Sequence, residues 1–288
     1  GFNRYSLRAN SDFTATKWLK IGQTIGATLS DRLGHINTGT SNAGSPVAYA
    51  LRQHPLIPVY DIRGNFAGTK ANGTGNGQNP VANLYRAKDN LNRQMRIMGS
   101  VYAQIDFTPN LWIKSLIGID YNTIRAKVRT LADPEWTQTT NNNVLTESQR
   151  NMFQYNWTNT LNFNKKFRNA HTVNVLAGVE AIRNNDQIFT ATRSTYPFTD
   201  LDYMVLDAGQ KDVSNTGTFD EWALFSYFVR LNYDYKGKYL FEATARRDAS
   251  SRFAAANRWG TFPAFSAGWR IVEEPFLKDV TWLSDLKL

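Results

Sequence analysis

Cysteine is absent from this chain of 288 residues, and histidine occurs only 3 times. The missing thiols exclude disulfide frameworks, thiolate nucleophiles and Cys-based metal sites together. His35, His54 and His171 stand far apart, without the spacing of a metal-ligand set. No apolar run reaches the ~18 residues that a spanning helix needs, so a transmembrane helix is excluded. Catalytic frames are missing too. The GTS at 39–41 lacks the G-x-S-x-G turn of a nucleophile elbow. The GTGNG at 73–77 has no strand before it and no helix after it, so it reads as a flexible loop segment rather than a phosphate loop. Glu273 and Glu274 are adjacent carboxylates in a short connection, where solvation is expected rather than acid–base work. No residue set points to catalysis, a cofactor or a metal. The chain opens on Gly1 without a signal peptide and stops at LKL in a strand-like run, so it is expected to be an internal piece of a longer protein.

Charge and aromatic rings are plentiful. The net charge is +9, and 13% of residues are Phe, Trp or Tyr. A basic balance permits nucleic acid, anionic lipid or an acidic ligand and selects none of them. Aromatic rings favour strands and also gather at membrane interfaces. Mean hydropathy is −0.46, which leaves a transmembrane barrel open because only alternate residues of its strands meet lipid.

Alternation of period two runs from end to end. Tyr5, Leu7, Ala9 and Phe13 oppose Arg4, Ser6, Arg8, Asn10 and Asp12. Similar runs centre on residues 19–29, 97–107, 111–121, 153–163, 173–181, 225–235, 239–245 and 265–271. Each has one apolar and one polar face, which predicts nine strands, with the start of a tenth at Leu283–Leu288. The connections alternate in length. Short ones fall near 14–17, 108–110, 165–170 and 236–238, and long ones near 31–93, 123–149, 185–221 and 249–261. That order predicts an all-β fold, a transmembrane antiparallel up-and-down β-barrel with short turns on the periplasmic side. In SYFVRLNYDYKGKYLFEATAR the odd positions are apolar in both strands. Facing residues share a side, so the loop must have odd length, and Lys236–Gly237–Lys238 supplies it with a glycine free to take positive φ. With no pairing partner for its first and last strands, this segment is not expected to close a barrel alone, and an open edge is not viable in hydrocarbon.

The wording of several of these runs resembles the SusC/RagA family of TonB-linked outer-membrane proteins. The match is densest over 224–270, with SYFVRLNYDYKGKYLFEATARRDASSRF and NRWGTFPAFSAGWRI. HTVNVLAGVEA at 171–181, WTNTLNFNK at 157–165, LIGIDYN at 116–122 and ALRQHPLIPVYDIRGNFAG at 50–68 are similar to it as well, and so are EEPF and WLSDLKL near the end. The resemblance implies a partial barrel, about ten strands of a plugged barrel of about 22. It places residues 1–288 within one barrel domain, without the plug and the remaining strands. It also implies import of oligosaccharides, or of peptides in one branch. The implied partners are a SusD-like surface lipoprotein acting as a lid and TonB acting through the plug. One departure stands out: the family's Arg-Arg-Asp-Gly-Ser-Ser-Arg-Phe has Ala249 in place of Gly here. A positive φ at that position would bring strain or a different turn.

Parity sorts the candidate site residues. Arg246 and Asp248 continue the lumen face with Arg252 beyond them, and this trio is expected to brace the strand end through charge-assisted hydrogen bonds. Arg247 points the other way, toward the lipid interface and the phosphates of lipopolysaccharide. Neighbouring arginines on opposite faces argue against a nucleic-acid surface, which needs them on one side with stacking rings. Trp136 and Tyr196 lie in long outer loops and are the candidate cargo contacts, since loops carry recognition and aromatic faces stack on sugar rings. A passive porin or adhesin-like barrel is the alternative to an importer, and only the plug and the TonB-contacting segment would separate them.

Overall fold

The computed structural model describes residues 1–34, 45–277 and 282–288. His35 and the GTS of 39–41 lie outside the described residues. Nine strands form one antiparallel sheet in sequence order. They are β1 (Phe2–Thr14), β2 (Leu19–Leu33), β3 (Leu91–Thr108), β4 (Leu111–Thr130), β5 (Val144–Phe167), β6 (His171–Ser194), β7 (Lys211–Tyr235), β8 (Tyr239–Ser250) and β9 (Trp259–Trp269). Two helices, α1 (Pro46–Arg52) and α2 (Pro80–Ala87), sit in the connection between β2 and β3. Among the described residues, no helix is long and apolar enough to cross a membrane. The amide of Trp269 bonds to the carbonyl of Leu288 and the reverse bond closes the pair, so the tenth strand begins where expected.

Parity is carried through the whole sheet. Outside two register shifts, near Asp106/Thr108 and Thr192/Ser194, paired residues are both odd or both even. One row runs Ser115, Asn159, Val179, Tyr227, Arg247, Thr261 across six strands. The expected pairing of the β7–β8 hairpin is met: Tyr235 faces Tyr239, and Gly237 has φ 69°. Lys236 precedes it at φ 55°, and the Asp234 carboxylate accepts from the Gly237 amide at 2.6 Å, fixing the turn.

The apolar odd face has the height of a bilayer core. On β4 it runs from Leu111 to Tyr121, about 33 Å of strand, or about 25 Å of height at the usual 40° tilt. Leu7, Val101, Ile117, Trp157, Val229 and Phe265 all stand exposed on it. An aromatic row of Tyr235, Tyr239 and Trp269, stacked at 6.2 and 6.5 Å, edges the side of the short turns. Phe225, Tyr227 and Trp259 edge the opposite side.

The long connections are shorter than the alternation suggests. Strands continue to 130, from 144, to 194 and from 211, so the loops expected at 123–149 and 185–221 shrink to 131–143 and 195–210. β5, β6 and β7 have 24, 24 and 25 residues, about 80 Å of strand each and far more than a bilayer needs. Above the lipid both faces are wet, and the odd face turns to ion pairs such as Arg93–Asp31 and Arg125–Glu147. The ladder persists there, while the alternation that reveals a strand does not. Ala249 resolves simply: it lies within β8, paired with Phe225 and Trp259, and is not among the positive-φ residues. Its methyl group needs no special turn.

Candidate functional site

The even face of the sheet is polar, and several of its charges pair across strands. Arg96 grips Asp120 with two bonds of 2.9 and 2.6 Å from β3 to β4. Arg150 holds Asp186 across β5 and β6, and Lys20 meets Asp106 at 2.8 Å. Arg246 on β8 donates to Glu180 on β6, to Ser226 on β7 and to its own strand's Asp248, at 2.7, 2.8 and 2.7 Å. Phe228 lies under its guanidinium, 5.5 Å from the ring centre. One arginine thus ties three strands. Arg252 follows beyond the strand end and reaches back to Asp220 on β7 at 3.1 Å, with Trp222 beneath it. Lower on this face an open groove of ≈ 760 Å³ is lined by Arg8, Asn10, Ser100, Asp120, Gln154 and Asn156, among others. Planar guanidinium–carboxylate forks are rigid and directional, so this wall presents fixed polar groups to whatever passes.

The outer connections form a packed cap with two small cores. The first holds Leu145, Tyr196, Leu201 and Met204, with Phe198 and Leu206 against them. The second is the contact of α1 with α2, where Ala48, Tyr49, Ala82 and Ala87 are buried. Helix α2 starts at Pro80, whose missing N–H falls where no helical bond is needed. Its cap, Asn79, accepts from the amides of Val81 and Ala82 and donates to the carbonyls of Val59 and Ala67. That single side chain folds 59–67 onto the helix.

Polar contacts bind the loops into one body. Arg86 of α2 and Glu135 form a fork at 2.6 and 2.9 Å. Gln78 donates to Asp133, and Thr137 bonds to the backbone and hydroxyl of Thr69. Arg129, at the end of β4, is only 8% exposed. It donates to the carbonyls of Arg86 and Thr199 and pairs with Asp89. Asn90 brackets the Arg129 backbone on both sides, at 2.9 and 3.2 Å.

Between these pieces lies a cavity of ≈ 740 Å³, within the range of small-ligand pockets. Its wall includes Tyr49, Arg52, Gln53, His54, Trp136 and Gln138, with the GTGNG segment of 73–77 along one side. That segment is no loose linker. Trp136 Nε1 donates to the Asn76 carbonyl at 2.8 Å, Thr137 to the Gly75 carbonyl, and Thr69 to the Gly77 carbonyl. Gly73 and Gly75 hold φ near 80°, a conformation open to glycine.

The two loop aromatics part company here. Trp136 is half-buried on the cavity wall. Tyr196 is 5% exposed inside the first small core, and its hydroxyl donates to the Leu206 carbonyl. Burial raises its phenol pKa above the ordinary value. Arg52, Gln53, His54 and Gln138 escape sequence reasoning, because nothing in their spacing announces a shared wall. On the opposite, periplasmic side, Glu274 is also more than a solvated carboxylate. Tyr239 and Trp269 donate to it at 2.7 and 3.2 Å, and Lys238 pairs with it at 3.1 Å. Those donors, Tyr239 first, hold its pKa below the usual value.

A meander with one apolar face, short turns at one end and packed loops at the other is the wall of a transmembrane β-barrel. No family model matches the chain. It is 30% identical over 300 aligned positions to TonB-dependent receptor P39 of Formosa agariphila, covering 100% of this chain and 27% of that protein. It is 63% identical over 65 residues to TonB-dependent receptor SusC of Bacteroides thetaiotaomicron, covering 23% of this chain and 6% of that one. The fold superposes on a chain of the RagAB peptide transporter with a TM-score of 0.83 at 23% identity, covering 99% of this chain and 32% of that one. Over its whole length the chain is similar to TonB-dependent receptors, most strongly over a segment of SusC, and it is part of an outer-membrane β-barrel. It spans less than a third of each relative named here.

Proposed function

We propose that the chain supplies part of the wall and outer rim of a TonB-energised importer of oligosaccharides, with peptides as the other cargo class. The observation that carries the reading is the pairing of a polar even face crossed by ion pairs with an ordered cap that borders an open 740 Å³ cavity. The wall lets polar solutes pass without trapping them on free charges, and the rim offers them a shaped surface. Trp136 is the proposed cargo contact, supported by its place on the cavity wall. Tyr196 is proposed to act one step back, by holding the 195–210 loop that carries it. Arg246, Asp248 and Arg252 are proposed as braces of the wall, supported by their ion pairs.

The sheet among the described residues has two edges, at β1 and β9, the second met only at its end by Leu288. Further strands of the same barrel domain must cover them in lipid. A plug coupled to TonB and a SusD-like lipoprotein lid complete the proposal, and the odd face meets outer-membrane lipid, lipopolysaccharide included. The relatives are named as receptors or transporters, in keeping with passage rather than catalysis. The test is uptake of labelled oligosaccharides and peptides by cells carrying the full-length receptor, with and without TonB. Uptake should require TonB and fall several-fold with Trp136→Ala. Equal uptake without TonB would instead establish a passive pore.

A further inference from the structure

We propose that the odd face carries a binding site for a phosphorylated, acylated lipid of the outer leaflet, with Arg247 as the phosphate ligand. The proposal rests on the reading that the odd face meets lipid. Six odd-numbered arginines lie in the strands: Arg93, Arg125, Arg129, Arg183, Arg193 and Arg247. The first five hold Asp31, Glu147, Asp89, Glu221 and Asp207. Among the described residues, Arg247 alone of the six has no carboxylate partner. Its guanidinium carbon sits 5.0 Å from the ring centre of Trp259, which stacks on Tyr227 at 6.0 Å and 15°. The stack orients the guanidinium while leaving its donors free for an anion.

The height is right for a headgroup. Eight residues of β8 separate Arg247 from Tyr239 in the inner aromatic row. That is about 26 Å of strand and about 20 Å of height at a 40° tilt, near the outer border of an apolar band ~25 Å tall. Directly inward lies a shallow, almost wholly apolar trough of ≈ 580 Å³. Its lining includes Ile113, Leu161, Ala177, Val229 and Ala245, which follow one register row, and Arg247 closes its outer end. The two alanines flank Val229 and are too small to fill the row. A cation at the interface above a trough in the lipid face matches a phosphate joined to an acyl chain. A free anion would have no use for the trough, and an uncharged lipid none for the arginine.

The experiment uses the full-length receptor in nanodiscs, with phosphorylated lipid A, dephosphorylated lipid A and inorganic phosphate as probes. Wild-type protein should retain phosphorylated lipid A. Retention should fall about ten-fold with Arg247→Gln, the effect of losing a charge-assisted contact, and less with Arg247→Lys. Ala245→Leu should also lower it by filling the trough while the charge stays. Arg252→Gln, which breaks a pair outside the band, should leave it unchanged. Equal retention by wild type and Arg247→Gln would overturn the site. So would an equal loss with Arg252→Gln, or full competition by inorganic phosphate together with no preference for acylated probe. Thermal midpoints of each variant separate lost binding from lost folding. Lipid-side labelling of cysteines at 229 and 230 tests the underlying reading separately, because labelling at 230 alone would show that the odd face is not the lipid face.

Discussion

Replacing Arg129 by methionine should undock the outer cap without unfolding the wall. The side chain keeps its length but loses every donor. Three contacts vanish together: to the Arg86 carbonyl, to the Thr199 carbonyl and to Asp89. The Asp89 side chain is 49% exposed, so its share of the ion pair is discounted to ~0.5 kcal/mol. Each carbonyl loses a bond from a charged donor, nominally worth about 1.5 kcal/mol, and part of that returns as water enters. Only the Thr199 bond reaches the 195–210 loop, so the open population of that loop should rise roughly ten-fold, since 1.4 kcal/mol is about ten-fold, while the other two losses fall on the 86–89 segment. Hydrogen exchange on the full-length receptor reads this directly. The amides of Met204, Ala208 and Gly209 bond within that loop and should exchange about ten-fold faster. Wall amides of β6 and β7 should not change. Unaltered exchange at 204–209 would refute the tie. An equal acceleration in the wall would show that Arg129 holds the barrel itself rather than its rim.

Cysteines placed at odd positions of 225–235 and 239–245 should label from lipid and those at even positions from water, and swapped labelling would defeat the register. Protease outside intact cells should cut the 131–143 and 195–210 loops before it reaches Gly237, and early cleavage at Gly237 would reverse the topology. Gly237→Ala should lower the urea midpoint by an amount equal to about 1 kcal/mol, because a side chain at φ 69° is strained; no change would mean that the turn relaxes freely. Glu274 has a lowered pKa from its bonds to Tyr239, Lys238 and Trp269. Its contribution to stability is therefore complete above the ordinary glutamate value and is lost as pH falls through the lowered folded value. Exchange of the Trp269 and Lys238 amides should quicken across that acid window, and Glu274→Gln should remove the pH dependence while leaving the turn less protected throughout.

The wall was legible because lipid imposes an asymmetry on it. Within the apolar band, a residue such as Ile117 meets hydrocarbon while its neighbour Gly118 faces water, and the chain records that difference every second position. The record stops where the lipid stops. Arg125, Lys127 and Arg129 on β4, and Asn215 on β7, continue the ladder with polar side chains on the odd face. A ladder is held by backbone bonds, which leave no trace in the choice of side chains, so about half of each expected outer loop is strand instead. The cap was not legible for another reason. Its ties join residues far apart in the chain, such as Arg86 to Glu135 and Thr69 to Thr137, through side chains common in any polar loop. Trp136 and Tyr196 looked alike as loop aromatics. Only the packing of Leu145, Leu201 and Met204 around the tyrosine separates a core ring from a cavity wall.

Arg246 and Arg247 show why the net charge of +9 misleads as a whole-chain quantity. They are adjacent in sequence, yet strand geometry sends them to opposite media. In the wet interior Arg246 is held by two carboxylates and a hydroxyl. Its charge is spent on joining three strands. On the outer face Arg247 lies over the ring of Trp259. The same division runs through the molecule. Arg86, Arg93, Arg96, Arg125, Arg129, Arg150 and Arg183 each have an acid within ion-pair range. Paired arginines of this kind contribute to the formal count but little to the field at a distance, because each is cancelled locally and screened within about 10 Å. A polyanion in solution would therefore gain little from these paired arginines. A phosphate confined to the plane of the outer leaflet would meet a single unpaired arginine at its own depth. Whether a positive charge acts as a brace or as a binding group is decided here by one step along a strand.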